Sequence, residues 1–247
     1  KKMKVSYWRN YLLSLILGLL YISNTYIAKC ESNEKNKSEI EFSEEQKKSK
    51  FINDFIKWSK LDTRETLPQP DAILVIGSSS IKKWTTITND LSPLKIIHRG
   101  FGGSTMKDAL IMHNFFMRYG VKKIVIYEGD NDLNKDDSNV EKDFIQPLTE
   151  FIQKTWEIDK DVEFYLISIK YSPSRMHAKE RYSEANQKMK EMAINNPKIH
   201  FIDVNSKMLD DASNPRPELF LKDRLHMNEN GYKIWTEELK KVLLEKK

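Results

Sequence analysis

Short apolar runs punctuate this chain, and between them apolar residues thin out to every third or fourth position. The runs are Ile73 to Ile76, Lys95 to His98, Lys123 to Tyr127, Phe164 to Ile169 and Ile199 to Val204. A short apolar run closed by a turn signal predicts a strand buried on both faces, as inside a parallel sheet. The spacing between runs predicts helices. One runs from Met106 to Tyr119 with Gly120 as its left-handed terminator. A second, opened by the capping-box pair Ser138 and Glu141, carries Val140, Phe144, Leu148, Phe151 and Ile152. A third covers about Lys179 to Ala193, and Tyr232, Trp235, Leu239 and Val242 mark a closing helix. Ile81 to Thr85 reads as a short helical turn with Trp84 in the core. Ahead of all these, Ser43 and Gln46 have capping-box spacing, and Phe51, Ile52, Phe55, Ile56 and Trp58 recur on one helical face. A leading helix is predicted here, broken by Leu67-Pro68-Gln69-Pro70. Strands alternating with helices predict βαβ units: an α/β fold on a five-stranded parallel sheet.

The first 30 residues read differently. Lys1, Lys2, Lys4 and Arg9 precede the apolar run Tyr11 to Ile22, which is too short to span a bilayer comfortably and fits an export signal. Cys30, the only cysteine, follows in a placement that resembles bacterial lipoproteins, although Lys29 stands where that pattern wants a small residue. Residues 1–30 are therefore expected to be a signal peptide or lipoprotein anchor with Cys30 as a possible lipidation site. Residues 31–43 would form a polar tether and residues 44–247 the folded domain, exported to the periplasm, the exterior or a membrane surface. A lone cysteine excludes an internal disulfide framework and any multi-cysteine metal site.

The net charge of +5 invites a nucleic-acid reading that its distribution removes. Of 41 basic residues, five (Lys1, Lys2, Lys4, Arg9 and Lys29) precede the first acidic one, Glu31, and the other 36 balance the 36 acidic residues. The domain has no general attraction to phosphate backbones, and no nucleic-acid partner is expected. Membrane contact is expected only through the amino-terminal segment.

Polar clusters follow the first three strands: Gly77-Ser78-Ser79-Ser80, Gly100-Phe101-Gly102-Gly103-Ser104 and Glu128-Gly129-Asp130-Asn131-Asp132. A fourth, Asp223-Arg224-Leu225-His226, lies beyond strand five. In a parallel sheet they share one edge, where ligands bind. An aspartate and a histidine three residues apart can place a carboxylate on one ring nitrogen, leaving the other to take a proton from a hydroxyl. The order Ser, Asp, His matches the α/β-hydrolases, but Ile81 stands where the second glycine of their nucleophile elbow belongs. The glycines after strand two do not satisfy G-x-G-x-x-G, so a dinucleotide site is not supported.

These blocks resemble the SGNH (GDSL-type) serine hydrolases: a serine after strand one, a glycine after strand two, a G-x-N-D turn after strand three and D-x-x-H near the carboxyl end. The resemblance covers roughly residues 70 to 235. It implies a three-layer α/β/α flavodoxin-like fold with strand order 2-1-3-4-5. It further implies Ser79 as nucleophile, His226 as general base and then acid, and Asp223 as the group orienting it. The oxyanion hole would be the backbone N–H groups of Ser79 and Gly103 with the side-chain amide of Asn131, and neither metal nor cofactor is required. Ser78 replaces the family's usual aspartate, as in a G-S-S-S-I branch, and Ser80 is the neighbouring alternative nucleophile. Arg99, Glu128, Asp130 and Asp132 are expected to hold the loops together, and His98, His113, His177 and His200 to be structural or solvated.

The expected activity is hydrolysis of a small-molecule or glycan oxygen ester through an acyl-serine. One rival is O-acyl transfer to a glycan by the same residues; another is a non-catalytic envelope protein that binds glycan. Segments 132–139, 172–179 and 205–221 are expected to wall the pocket.

Overall fold

A computed structural model describes residues 40–62 and 67–245, so the expected export signal, Cys30 and most of the expected tether lie outside the described residues. Its centre is a parallel sheet of β1 (Ile73–Gly77), β2 (Ile96–Gly100), β3 (Lys123–Tyr127), β4 (Glu163–Ile167) and β5 (Ile199–Ile202) in the order β2-β1-β3-β4-β5. Gly77 pairs with Gly100 on one side and Tyr127 on the other, so β1, β2 and β3 end level and their polar clusters emerge together.

Alternate strand residues feed two cores. Leu74, Ile76, Ile124, Ile126, Phe164 and Leu166 face a large cluster. There they meet α2 (Ile52–Asp62), α5 (Met106–Ile111), α6 (His113–Met117), α7 (Gln146–Ile158) and α8 (Lys179–Asn195). Ile73, Val75, Val125, Tyr127, Tyr165 and Ile167 face the other, with α3 (Ser79–Lys82), α4 (Ile87–Asp90) and α9 (Glu229–Leu243). Trp84 is fully buried there, stacked on Tyr232 and edge-on to Trp235.

Three helix expectations need correction. The leading helix is two pieces: the Ser43–Gln46 capping box forms, but on a single turn, α1 (Glu44–Lys47), separated from α2 by residues 48–51. The chain is already packed before that cap, since Phe42 is buried and stacks on Phe115. The helix expected from Met106 to Tyr119 breaks at Met112 (φ −93°, ψ 9°), although Gly120 does terminate it at φ +59°. The Ser138–Glu141 box does not cap its helix. Asn139 does: its Oδ1 accepts from the Lys142 N–H at 2.8 Å, and its own N–H donates to Asp143 Oδ2 at 2.9 Å. The helix opens as a π turn over Glu141–Ile145, and this wider turn puts the reciprocal partner four residues on rather than three.

The leading segment is bound tightly to the domain. Phe55 packs edge-on against Phe101, Phe115 and Phe116 at 5.4, 4.9 and 5.5 Å between ring centroids. Asp62, buried at the end of α2, ion-pairs with Arg99 and accepts the Tyr119 hydroxyl at 2.7 Å.

Candidate active site

Ser79 is the first residue of α3, directly after the β1 turn. The turn is tight because Gly77 lies against β3: a Cβ there would stand 2.3 Å from the Tyr127 carbonyl oxygen. The Ser78 N–H donates to that same oxygen at 3.2 Å, and the Phe101 N–H to the Gly77 carbonyl at 2.9 Å. Ser79 is half-buried, whereas the Ser80 hydroxyl is buried with no hydrogen-bond partner among the described residues. Ser80 therefore faces the interior, and Ser79 is the serine the site presents.

His226 meets it from the far end of the chain. Its Nε2 lies 2.9 Å from Ser79 Oγ and its Nδ1 2.6 Å from Asp223 Oδ2. The turn that achieves this has Arg224 left-handed (φ 55°), while Asp223 Oδ1 accepts the N–H groups of Leu225 and His226 at 3.0 and 2.9 Å. Burial alone would raise the Asp223 carboxyl. The His226 ring and the two backbone donors outweigh it and hold the group down at about 2. An ionised carboxylate only accepts, so Nδ1 carries the proton and Nε2 is left to accept from the Ser79 hydroxyl.

The loop after β2 lies on the other side of Ser79. A Cβ on Gly102 would touch Ser79 Cβ at 3.7 Å. Gly103 has φ +83° with open space around its missing side chain, so it is conformation rather than crowding that calls for glycine there. Asn131 is tied to the same loop: its Nδ2 donates to the Ser104 carbonyl at 2.9 Å, and its Oδ1 accepts from Arg175 Nη2 at 3.1 Å. Ser79, Gly103, Asn131, Asp223 and His226 are thus gathered at one sheet edge.

A buried polar network lies beneath. Ser78 Oγ donates to Asp130 Oδ1 at 3.2 Å, linking the residue before Ser79 to the residue before Asn131. Asp130 Oδ2 also takes hydrogen bonds from Tyr127 and from Lys170, each at 3.3 Å. Burial would raise Asp130, yet Lys170 and Arg175 beside it keep its carboxyl below the usual range. Asp132 accepts the N–H groups of Met106 and Gly129 at 2.7 and 3.0 Å, and Glu128 accepts the Ser104 hydroxyl at 2.5 Å. Of the buried Glu128–Asp132 pair, Glu128 has the weaker donor, and burial followed by repulsion from Asp132 pushes its carboxyl well up. These acids hold loops, as expected, whereas Arg99 bonds Asp62 and the Tyr119 hydroxyl and so ties the end of α2 to the segment after α6.

The other histidines are structural. His98 Nε2 contacts the Ile81 carbonyl at 2.7 Å, His113 the Thr155 hydroxyl at 3.0 Å and His177 the Asn134 carbonyl at 2.8 Å, while His200 stacks on Tyr165 at 4.5 Å.

Sequence reading missed Lys50, Lys170 and Arg175. Lys50 reaches the Gly103 carbonyl at 3.4 Å from the leading segment, a contact no local pattern announces. Lys170 ends the apolar run Phe164 to Ile169, and a cation directly on a buried strand's edge was the available signal. A cleft of about 460 Å³ opens beside Gly103 and Asn131, walled by Lys50, Thr105, Lys135 and Ser138 among others. A groove of about 860 Å³ runs along Lys83, Leu221, Asn228 and Tyr232. Segments 132–139 and 205–221 thus reach these walls, whereas Arg175 of segment 172–179 braces Asn131 from behind.

Residues 77–234 match the GDSL-like lipase/acylhydrolase family. Among solved structures, a GDSL-like lipase from Bacteroides thetaiotaomicron is 19% identical, with a TM-score of 0.63 over 77% of this chain and 97% of that one. A Clostridium thermocellum family 3 carbohydrate esterase is 17% identical, with a TM-score of 0.57 over 71% and 96% of the two chains. The catalytic domain of Streptococcus pneumoniae peptidoglycan O-acetyltransferase A is 19% identical, with a TM-score of 0.55 over 71% and 93%. At these identities the likeness is one of fold. No curated protein matches the chain by sequence.

Proposed function

The chain belongs to the GDSL-like lipase/acylhydrolase family, and from that premise we propose that it is a serine esterase acting on an oxygen ester. One observation carries the reading: the His226 ring bridges Ser79 Oγ and the Asp223 carboxylate at 2.9 and 2.6 Å. In the proposed reaction Ser79 Oγ attacks the ester carbonyl carbon as its proton passes to His226 Nε2. Negative charge gathers on the carbonyl oxygen and is met by the N–H groups of Ser79 and Gly103 and the Nδ2–H of Asn131 that the Ser104 carbonyl leaves free. The carbon–oxygen bond to the alcohol then breaks, and His226 hands its proton to the departing oxygen. Water, deprotonated by the same nitrogen, releases the acid and restores Ser79.

A fluorophosphonate probe tests the centre directly. Labelling and p-nitrophenyl acetate turnover should both occur in the wild type and both vanish in Ser79→Ala; folded wild-type protein that takes no label would favour a non-catalytic binding role. The likeness to an O-acetyltransferase domain keeps acyl transfer to a glycan as the second reading. Added alcohol acceptors decide it, because transfer product accumulates at the expense of free acid only if that reading holds.

A further inference from the structure

We infer that Arg175 is a positioning residue for this reaction, acting through Asn131 to fix the donor end of its amide toward the oxyanion. The inference rests on the esterase reading above. Arg175 lies outside all four sequence blocks, in the short Pro173–Ala178 turn beyond β4, with its side chain mostly buried. Its guanidinium spans two consecutive residues: Nη1 donates to the Asp130 carbonyl at 2.6 Å and Nη2 to Asn131 Oδ1 at 3.1 Å.

A guanidinium has donors and no acceptor, so it tolerates only the oxygen end of the amide. The Ser104 carbonyl accepts from Nδ2 and likewise tolerates only the nitrogen end. A flipped amide would set donor against donor at Arg175 and oxygen against oxygen at Ser104, and would present lone pairs to a developing anion. Arg175 also does what Ser104 cannot. A charge-assisted bond to Oδ1 polarises the amide and strengthens the remaining N–H as a donor. Arg175 and Lys170 both flank Asp130, at 3.8 and 3.3 Å, so two basic side chains face one carboxylate under the position where the oxyanion forms.

A purely structural role for Arg175 is separable. The Asp130 carbonyl is also held by the Tyr182 hydroxyl at 2.8 Å, so it keeps a partner when Arg175 is replaced. The turn itself is anchored through its backbone, by the Ser174 N–H to the Arg224 carbonyl at 3.1 Å and the Arg175 N–H to the Ser172 carbonyl at 2.9 Å.

The test is a double-mutant cycle on p-nitrophenyl acetate with Arg175→Met, Asn131→Ala and the pair, each also followed by thermal unfolding. Asn131→Ala should lower kcat by about 10²–10³. Arg175→Met should lower kcat by about ten- to a hundred-fold with KM nearly unchanged, and should cost nothing further on the Asn131→Ala background. Arg175→Lys, which keeps the charge without the fork, should fall in between and substitutes in the cycle if Arg175→Met does not fold. Wild-type kcat in a folded Arg175 variant, or a loss that persists in full without Asn131, overturns the inference while leaving the Ser79 labelling intact. Wild-type protein with neither turnover nor labelling removes the esterase reading and this inference together.

Discussion

At the scale of single residues, the site divides labour by environment. Asp223 is exposed enough for its carboxylate to stay hydrated, and a ring and two backbone N–H groups hold it at about 2. It therefore stays ionised through the whole acid range in which a histidine changes charge. Its ionised form is present above that value and is lost only as the pH falls through it. On lowering the pH, activity should then drop with the gain of one proton, on His226, and log(kcat/KM) should fall with unit slope until the pH nears Asp223's own value. A flat acid limb would argue against His226 as the base, and a slope of two against a permanently charged Asp223. The four chemical blocks were legible in the sequence because each lies directly on a strand end or a tight turn, where local order fixes a side chain's direction. Lys170 and Arg175 were not, because their partners, Asp130 and Asn131, lie some forty residues away and only packing brings them together.

At the scale of elements, the strands were read more faithfully than the helices. The apolar runs of β1, β3 and β4 are set by burial on both faces, whereas the edge strands β2 and β5 are only partly buried and keep their runs through the face that meets the core. Helix ends are settled by single competing caps, so Asn139 displaced Ser138 and Met112 interrupted a segment whose spacing is otherwise continuous. The leading pair α1 and α2 shows how an element outside the family match, which begins at residue 77, can still serve the site. Phe51 and Phe55 pack on Phe101 at 5.2 and 5.4 Å, Lys50 reaches the Gly103 carbonyl, and Asp54 pairs with Lys82 of α3 at 3.1 Å. A version of the protein beginning at residue 67 would bare Phe101, Phe115 and Phe116. Each of the buried Phe51, Phe55 and Trp58 contributes roughly 1.5–3 kcal/mol. Such a version should melt well below the full chain and, where still folded, show a lower kcat. Melting and turnover equal to the full chain's would show that the brace is dispensable.

At the scale of the whole molecule, the level strand ends bring the proposed reacting groups to one edge of the sheet. Every side chain of the cleft beside Gly103 and Asn131 is polar or charged, Lys50, Thr105, Asn131 and Lys135 among them, which disfavours a long acyl chain there. Among p-nitrophenyl esters, acetate should be turned over fastest and rates should fall steadily with chain length; a preference for octanoate or longer would refute this. The turn at residues 173–175 touches both halves of the site, Ser174 through Arg224 and Arg175 through Asn131. For anyone seeking to redirect the selectivity of this scaffold, that arrangement divides the terrain. The exposed rim at 135–137 is open to diversification, whereas a library that varies Arg175 would weaken the donor that Asn131 presents while the backbone bond from Ser174 holds the turn in place.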